Sequence, residues 1–205
     1  LLPKLVPHLI GIIQGEKSDA NIRQTITHQA QVDEDGAITD TVTIERTHTG
    51  SLTDPLYNQT NIDYMRVYVP QGSTLLSAGG FSWPDESKFR TPENWYSADP
   101  FLKEVEKNMS SDSRTGTRIT SEFGKTAFGN WVITDPGKTS TISFTYRLPF
   151  RLEKTAKPGI VQSALKNLVS EPVSYQLIAQ RQSGVESHFT SQIIIPNSKR
   201  IQVIY

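Results

Sequence analysis

The chain has 205 residues and no cysteine. That absence excludes thiol catalysis, disulfide scaffolding and cysteine-ligated zinc. It assigns no compartment, because cytosolic proteins and bacterial surface domains both do without disulfides. An excess of charge is missing too. Lys plus Arg and Asp plus Glu stand at 21 each, for a formal net charge of zero. No run of Lys or Arg exceeds two residues. Without a basic stripe, no field gathers nucleic acid or an anionic membrane surface, and no nucleic-acid partner is expected. A long apolar run is also lacking. Leu1 to Ile13 is apolar but broken by Pro3 and Pro7, which is too short and interrupted to span a bilayer. It carries no basic region followed by a cleavage site, and its expected fate is a strand or helix end packed on the core.

The usual signatures of chemistry are equally scarce. The four histidines are His8, His28, His48 and His188. None pairs with another at metal-ligand spacing, and no H-E-x-x-H occurs. His28 and His48 fall on the first two strands. A turn centred on Glu34-Asp35 sets His28 opposite about Thr41, so the two are out of register and read as polar positions on a wet face. No G-x-S-x-G elbow marks a serine nucleophile. Glu45, Glu93, Glu104 and Glu122 stay unassigned as acids, because glycosidase carboxylates pair in space rather than in sequence. The acidic turn Asp33-Glu34-Asp35 lacks the alternating oxygen ligands of an EF-hand and reads as a solvated hairpin turn. No catalytic residue, cofactor or metal site is expected.

What the chain does contain is strand. From Gly124 to Phe150, two apolar-aromatic runs flank Asp135-Pro136-Gly137, and the second alternates through Ile142, Phe144 and Tyr146. This reads as a hairpin with one buried face. Ala20 to Val32 and Ile38 to Thr49 form another hairpin around Asp33 to Gly36, with Ile38, Val42 and Ile44 in the apolar row. Asp40 interrupts that row and is placed near the wet strand start. Ile62 to Pro70 and Thr74 to Phe81 follow as strands, with Gly79-Gly80 marking a bulge or a close backbone approach. Val173 to Gln182 and His188 to Pro196 read as a late hairpin, and Ile201 to Tyr205 as a terminal strand.

Two helices interrupt the strands. One starts at Asp99-Pro100 and runs to about Met109. The other covers Gly159 to Val169. The expected fold is therefore all-β and mainly antiparallel: a β-sandwich of about eight to ten strands with two short helical insertions. No linker or repeat divides the chain. A single domain over 1–205 is expected, with 1–19 as a lead-in from an upstream region.

Two features invite a functional reading. The long loop from Ser82 to Tyr96 holds Trp83, Phe89, Trp95 and Tyr96. Aromatic faces in such a loop stack on sugar rings or anchor protein contacts, whereas the default is a loop folded back to cap one end of the sandwich. The second is a Lys–Asn isopeptide crosslink, for which Lys17 and Asn197 have a suitable chain order and Glu122 or Glu45 would be the acid. Its requirement is a buried lysine with a lowered pKa.

Four segments taken together resemble a known family. They are G-E-K-S-D-A-N-I (Gly15 to Ile22), R-V-Y-V-P-Q-G-S-T-L-L-S-A-G-G-F (Arg66 to Phe81), the Gly124 to Phe150 stretch, and Y-Q-L-I-A-Q-R-Q-S-G (Tyr175 to Gly184). In this order they are similar to the C-terminal region of the bacterial domain-of-unknown-function family 4012. The resemblance implies a membrane-anchored envelope protein with most of its chain outside the cell. It further implies an extracellular location, and contact with the membrane only through an N-terminal anchor upstream of these residues. The upstream part of that family resembles enzymes that attach polymers to cell walls, and no functional residue carries over from it. The expected role is a non-catalytic extracellular domain that scaffolds or contacts an envelope protein. The alternatives are a cell-wall glycan-binding module using the aromatic loop, and an accessory domain of an upstream envelope enzyme.

Overall fold

Along β2 (Ile22–Val32) and β3 (Ala37–His48), side chains alternate between buried and more exposed positions, as strands with one covered face must. The computed structural model describes residues 9–14, 17–54, 58–89, 93–97, 99–152, 177 and 186–196. The other strands are β1 (Leu9–Gln14), β4 (Asn61–Pro70), β5 (Thr74–Gly79), β6 (Ser110–Ser111), β7 (Arg118–Glu122), β8 (Lys125–Thr134), β9 (Thr139–Arg151) and β10 (Glu186–Ile194). They form two five-stranded sheets. Sheet I has the order β1-β4-β8-β7-β6 and sheet II the order β10-β2-β3-β9-β5. Among the described residues, every pairing is antiparallel except β10 on β2, which is parallel. Among the described residues, no helix is long and apolar enough to cross a membrane.

The core lies between the sheets. Sheet I contributes Met65, Val67, Val69, Phe128 and Val132, and sheet II contributes Ile26, Val42, Ile44, Ile142, Phe144 and Tyr146. Phe128 of β8 meets Phe144 and Tyr146 of β9 with ring centroids 6.3 and 5.6 Å apart. These contacts overturn the hairpin expected for Gly124 to Phe150. Both strands exist, but β8 pairs with β4 and β7, while β9 pairs with β3 and β5. The Asp135-Pro136-Gly137 turn carries the chain from one sheet to the other. Each strand has an apolar row, and the two rows face each other across the core instead of lying side by side.

The first hairpin has the expected turn. Gly36 has φ of +87°, and a Cβ there would lie 2.0 Å from the Leu152 carbonyl oxygen. Gly80 supplies the expected close approach, since its Cβ would meet the Thr141 carbonyl oxygen at 1.9 Å with φ of +84°. The expected helix start is also present. The Asp99 carboxylate accepts from the backbone N–H groups of Phe101 and Leu102, and Pro100 opens α1 (Pro100–Glu106). The helix ends at Glu106, short of Met109, and after a turn Ser110–Ser111 pair with β7.

Leu9 to Gln14 pairs with β4 as a strand, and residues 1–8 lie outside the described residues. The expected helix over Gly159 to Val169 and the strand over Ile201 to Tyr205 also lie outside them. So does Val173 to Gln182, apart from Leu177. His188 to Pro196 does contain a strand, but its described partner is β2, in parallel.

Truncating Phe128 to Ala should remove about 3–5 kcal/mol of stability, because its ring fills the space between the sheets. Thr25→Ala, on the exposed face of β2, should stay within about 0.5 kcal/mol. Urea midpoints at unchanged m-value would test both.

Candidate functional site

The outer face of sheet I carries a cluster of aromatic rings outside the core. Tyr64 of β4 and Trp131 of β8 are register partners whose rings meet edge-to-face at 5.0 Å. Phe89 adds a further edge-to-face contact to Trp131 at 5.4 Å. Gly129 leaves room for the Tyr64 hydroxyl, which would sit 2.5 Å from a Cβ at that position. Arg66 lies over the Tyr64 ring at 5.4 Å and donates to Glu122 Oε2 at 3.1 Å. The hydroxyl of Tyr68 donates to the same oxygen at 3.0 Å, and Thr120 donates to Oε1 at 2.5 Å. Phe101 of α1 packs on Phe123 beside this cluster.

The loop expected to bind runs past the end of β7 onto this face. The Ser82 N–H donates to the Trp131 carbonyl, and the Trp83 indole lies beside Gly116. All four of its aromatic side chains are exposed: Trp83 by 53 %, Phe89 by 46 %, Trp95 by 77 % and Tyr96 by 62 %. Trp95 and Tyr96 stack at 4.4 Å with 30° between their planes, so each ring covers one face of the other and keeps its outer face open.

Glu122, considered above as an isopeptide acid, is held by Arg66, Tyr68 and Thr120. Lys17 lies in a short 3-10 turn, Lys17–Asn21, and Asn197 lies outside the described residues. Glu45 is exposed on β3. Among the described residues, nothing places a lysine–asparagine pair beside either acid.

Two polar clusters that the sequence reading missed lie on the inner face of sheet II. The inward row of β3 reads Ile38, Asp40, Val42, Ile44, Arg46, His48, apolar in the middle and polar towards both ends. Arg46 is fully buried and bridges the sheets. It donates to Gln24 Oε1 at 2.9 Å within sheet II, and to Asn61 Oδ1 at 2.9 Å and the Asp63 carboxylate in sheet I. Asp19 Oδ1, in the turn before β2, is 3.8 Å from Arg46 and accepts from Asn61 Nδ2 at 2.6 Å.

At the other end, the His28 ring lies between Asp40 and β10. Its Nε2 is 3.4 Å from Asp40 Oδ2, and its Nδ1 is 3.0 Å from the Ser191 hydroxyl. Both histidines depart from the wet-face expectation, with His28 and His48 each 1 % exposed. Their residue numbers share the parity of the apolar row, which buries them, and each finds polar partners there. The Gly50 N–H donates to His48 Nδ1, so Nε2 carries the proton given to the Gln59 carbonyl. The expected register was off by one, since His28 lies opposite Val42. Asp40 is likewise fully buried rather than wet, which a carboxylate tolerates only with partners such as His28.

The acidic turn behaves as a hairpin turn. Asp33 and Asp35 accept from the Ala37 N–H, and Asp35 pairs with Arg151. Among the described residues, no group of three or more His, Asp or Glu converges as metal ligands would.

Burial pushes the Asp63 carboxyl up from 3.8 to about 6, against the pull of Arg46 in the other direction. Burial also lowers the Arg46 guanidinium below its ordinary value. The folded protein therefore holds the Asp63 proton more tightly than the unfolded chain does. Its contribution to stability is greatest below 3.8 and is lost as pH rises to about 6, at up to about 1.4 kcal/mol per pH unit. Asp63→Asn should flatten this slope in urea midpoints measured across pH 4–7 (about the window set by the shift), and an unchanged slope would assign it to other groups. Arg46→Leu alone should cost about 3–5 kcal/mol by stranding a buried carboxylate. Adding Asp63→Leu should restore most of that loss in the same assay.

No family model matches the chain, and no curated protein matches it.

Proposed function

We propose that this chain is a contact module on the outer side of a bacterial cell envelope, binding an envelope component through the 83–96 loop. The observation that carries the reading is the exposure of all four aromatic side chains in that loop. Folding alone gives no reason to leave Trp83, Phe89, Trp95 and Tyr96 in water, and aromatic anchors are the side chains that concentrate binding energy at interfaces. The rest of the sandwich serves as a rigid mount, since Phe89 is seated on Trp131 and Ser82 is tied to the edge of β8. The envelope setting is supported by the resemblance of the four quoted segments to the extracellular region of a membrane-anchored family.

Cell-wall glycan is a second reading of the same site. The Trp95–Tyr96 stack favours it, because the open outer face of a ring backed by a second ring offers a flat apolar surface to the C–H face of a sugar.

A pull-down on purified envelope material should retain the wild-type chain. Trp83→Ala and Trp95→Ala should weaken retention by roughly 30-fold, the loss of one anchor of about 2 kcal/mol, while the thermal midpoint holds. Competition by soluble wall glycan would assign the ligand to sugar, and its absence to a protein component. No retention of the wild type would defeat the proposal.

A further inference from the structure

Parallel pairing of β10 on β2 sets Ser191 directly beside His28, and Asp40 of β3 lies on the far side of the same ring. The three residues come from three adjacent strands of sheet II, in the order serine, imidazole, carboxylate. We propose that Ser191, His28 and Asp40 form an acyl-transfer centre that takes esters with an apolar acyl group. This goes beyond the contact role of the aromatic loop and uses none of its residues.

The geometry divides the roles. The Ser191 hydroxyl is on an exposed residue, while His28 and Asp40 are buried at 1 % and 0 % exposure. The residue that carries the nucleophile is open to solvent and its base is not. With the imidazole proton on Nε2, towards Asp40, the lone pair on Nδ1 faces the Ser191 hydroxyl at 3.0 Å, within the range for proton transfer. Asp40, with Oδ2 3.4 Å from Nε2, favours this tautomer and offsets the positive charge that develops on the ring, as the carboxylate of a serine triad does. It is a positioning residue. On β10, Phe189 and Ile193 flank Ser191 at two residues on either side, so they point to the same face. They are 40 % and 44 % exposed. A hydroxyl between two open apolar side chains favours an apolar acyl group.

Securing β10 to β2 does not require this chemistry. Four residues earlier on the same face, Ser187 accepts from the Gln24 amide at 3.4 Å, and a neutral side chain is enough there. At Ser191 the fold instead buries an imidazole with a carboxylate behind it, an arrangement that is costly unless the groups pair.

In the first step, Ser191 Oγ bonds to the ester carbonyl carbon as its proton passes to His28 Nδ1. The C–O bond to the alcohol then breaks, and the departing oxygen takes that proton. In the second step, water gives a proton to His28 and attacks the acyl-serine. The carboxylic acid leaves, and the proton returns to Ser191.

The test is covalent capture of the full chain by an alkyl fluorophosphonate, with adducts mapped by mass spectrometry. This probe needs an activated oxygen but no completed turnover. The expected result is phosphonylation at Ser191 in clear excess over Ser187, a control on the same strand and face whose described side-chain partner is the neutral Gln24 amide. Ser191→Ala should abolish the adduct, and His28→Gln should slow it by about 100-fold or more, the size of a general-base contribution. The Ser187 comparison needs no variant, so it stands even if His28→Gln fails to fold. Equal labelling of the two serines, no labelling of the wild type, or an unchanged rate in a folded His28→Gln chain would each overturn the proposal.

Discussion

A guanidinium sealed between two sheets constrains much of this molecule. Arg46 has no exposed surface, and its bonds reach Gln24 in one sheet and Asn61 and Asp63 in the other. A buried ion pair adds little net stability over apolar residues of the same size, but breaking it is expensive. Its effect is therefore on register. If β3 slipped by one residue against the core, Arg46 would turn to the outer face and leave the Asp63 carboxylate buried alone. The short turn carrying Ser18 and Asp19 is drawn into the same network through Asn61, which ties the start of β2 to β4.

The two outer faces differ in character. Sheet II presents rows of hydroxyls on β2, β3 and β9, several of which bond to one another, as Thr41 does with Thr145 and Thr47 with Thr139. Sheet I presents Tyr64, Trp131, Phe89 and Arg66, with the exposed loop beside them. Hydroxyls paired across strands present a hydrated surface, whereas stacked rings present one that gains by being covered. A contact module would therefore bind through the side of sheet I.

The strands were legible because their alternation is local. The residues from Ile22 to Val32 and from Ile38 to His48 announce a buried face, and Asp33 to Gly36 announces the turn between them. The start of α1 was legible for the same reason, since an Asp followed by Pro satisfies orphan N–H groups within one turn. The partnership of β8 was not. A tight turn between two amphipathic strands suits a hairpin, and an inter-sheet crossing differs only in which rows face each other. The aromatic loop was visible as a cluster, but whether its rings were open to solvent was not. The inward row of β3 held a missed signal. Asp40, Arg46 and His48 share the parity of Ile38, Val42 and Ile44, and this already placed them on the covered side.

From the sequence by itself came the class of fold, the position of its first hairpin, the capped helix and the loop rich in aromatic side chains. All of these depend on neighbours within a few residues, where propensity, periodicity and capping act. Tertiary structure alone decided that β8 and β9 face each other through Phe128 and Phe144, and that Arg46 meets Asp63. It also placed Ser191 against His28, 163 positions apart in the chain. Those pairings are set by which strands lie edge to edge and which sheets lie face to face. That choice is made by burying the whole apolar surface at once, and no short window of sequence contains it.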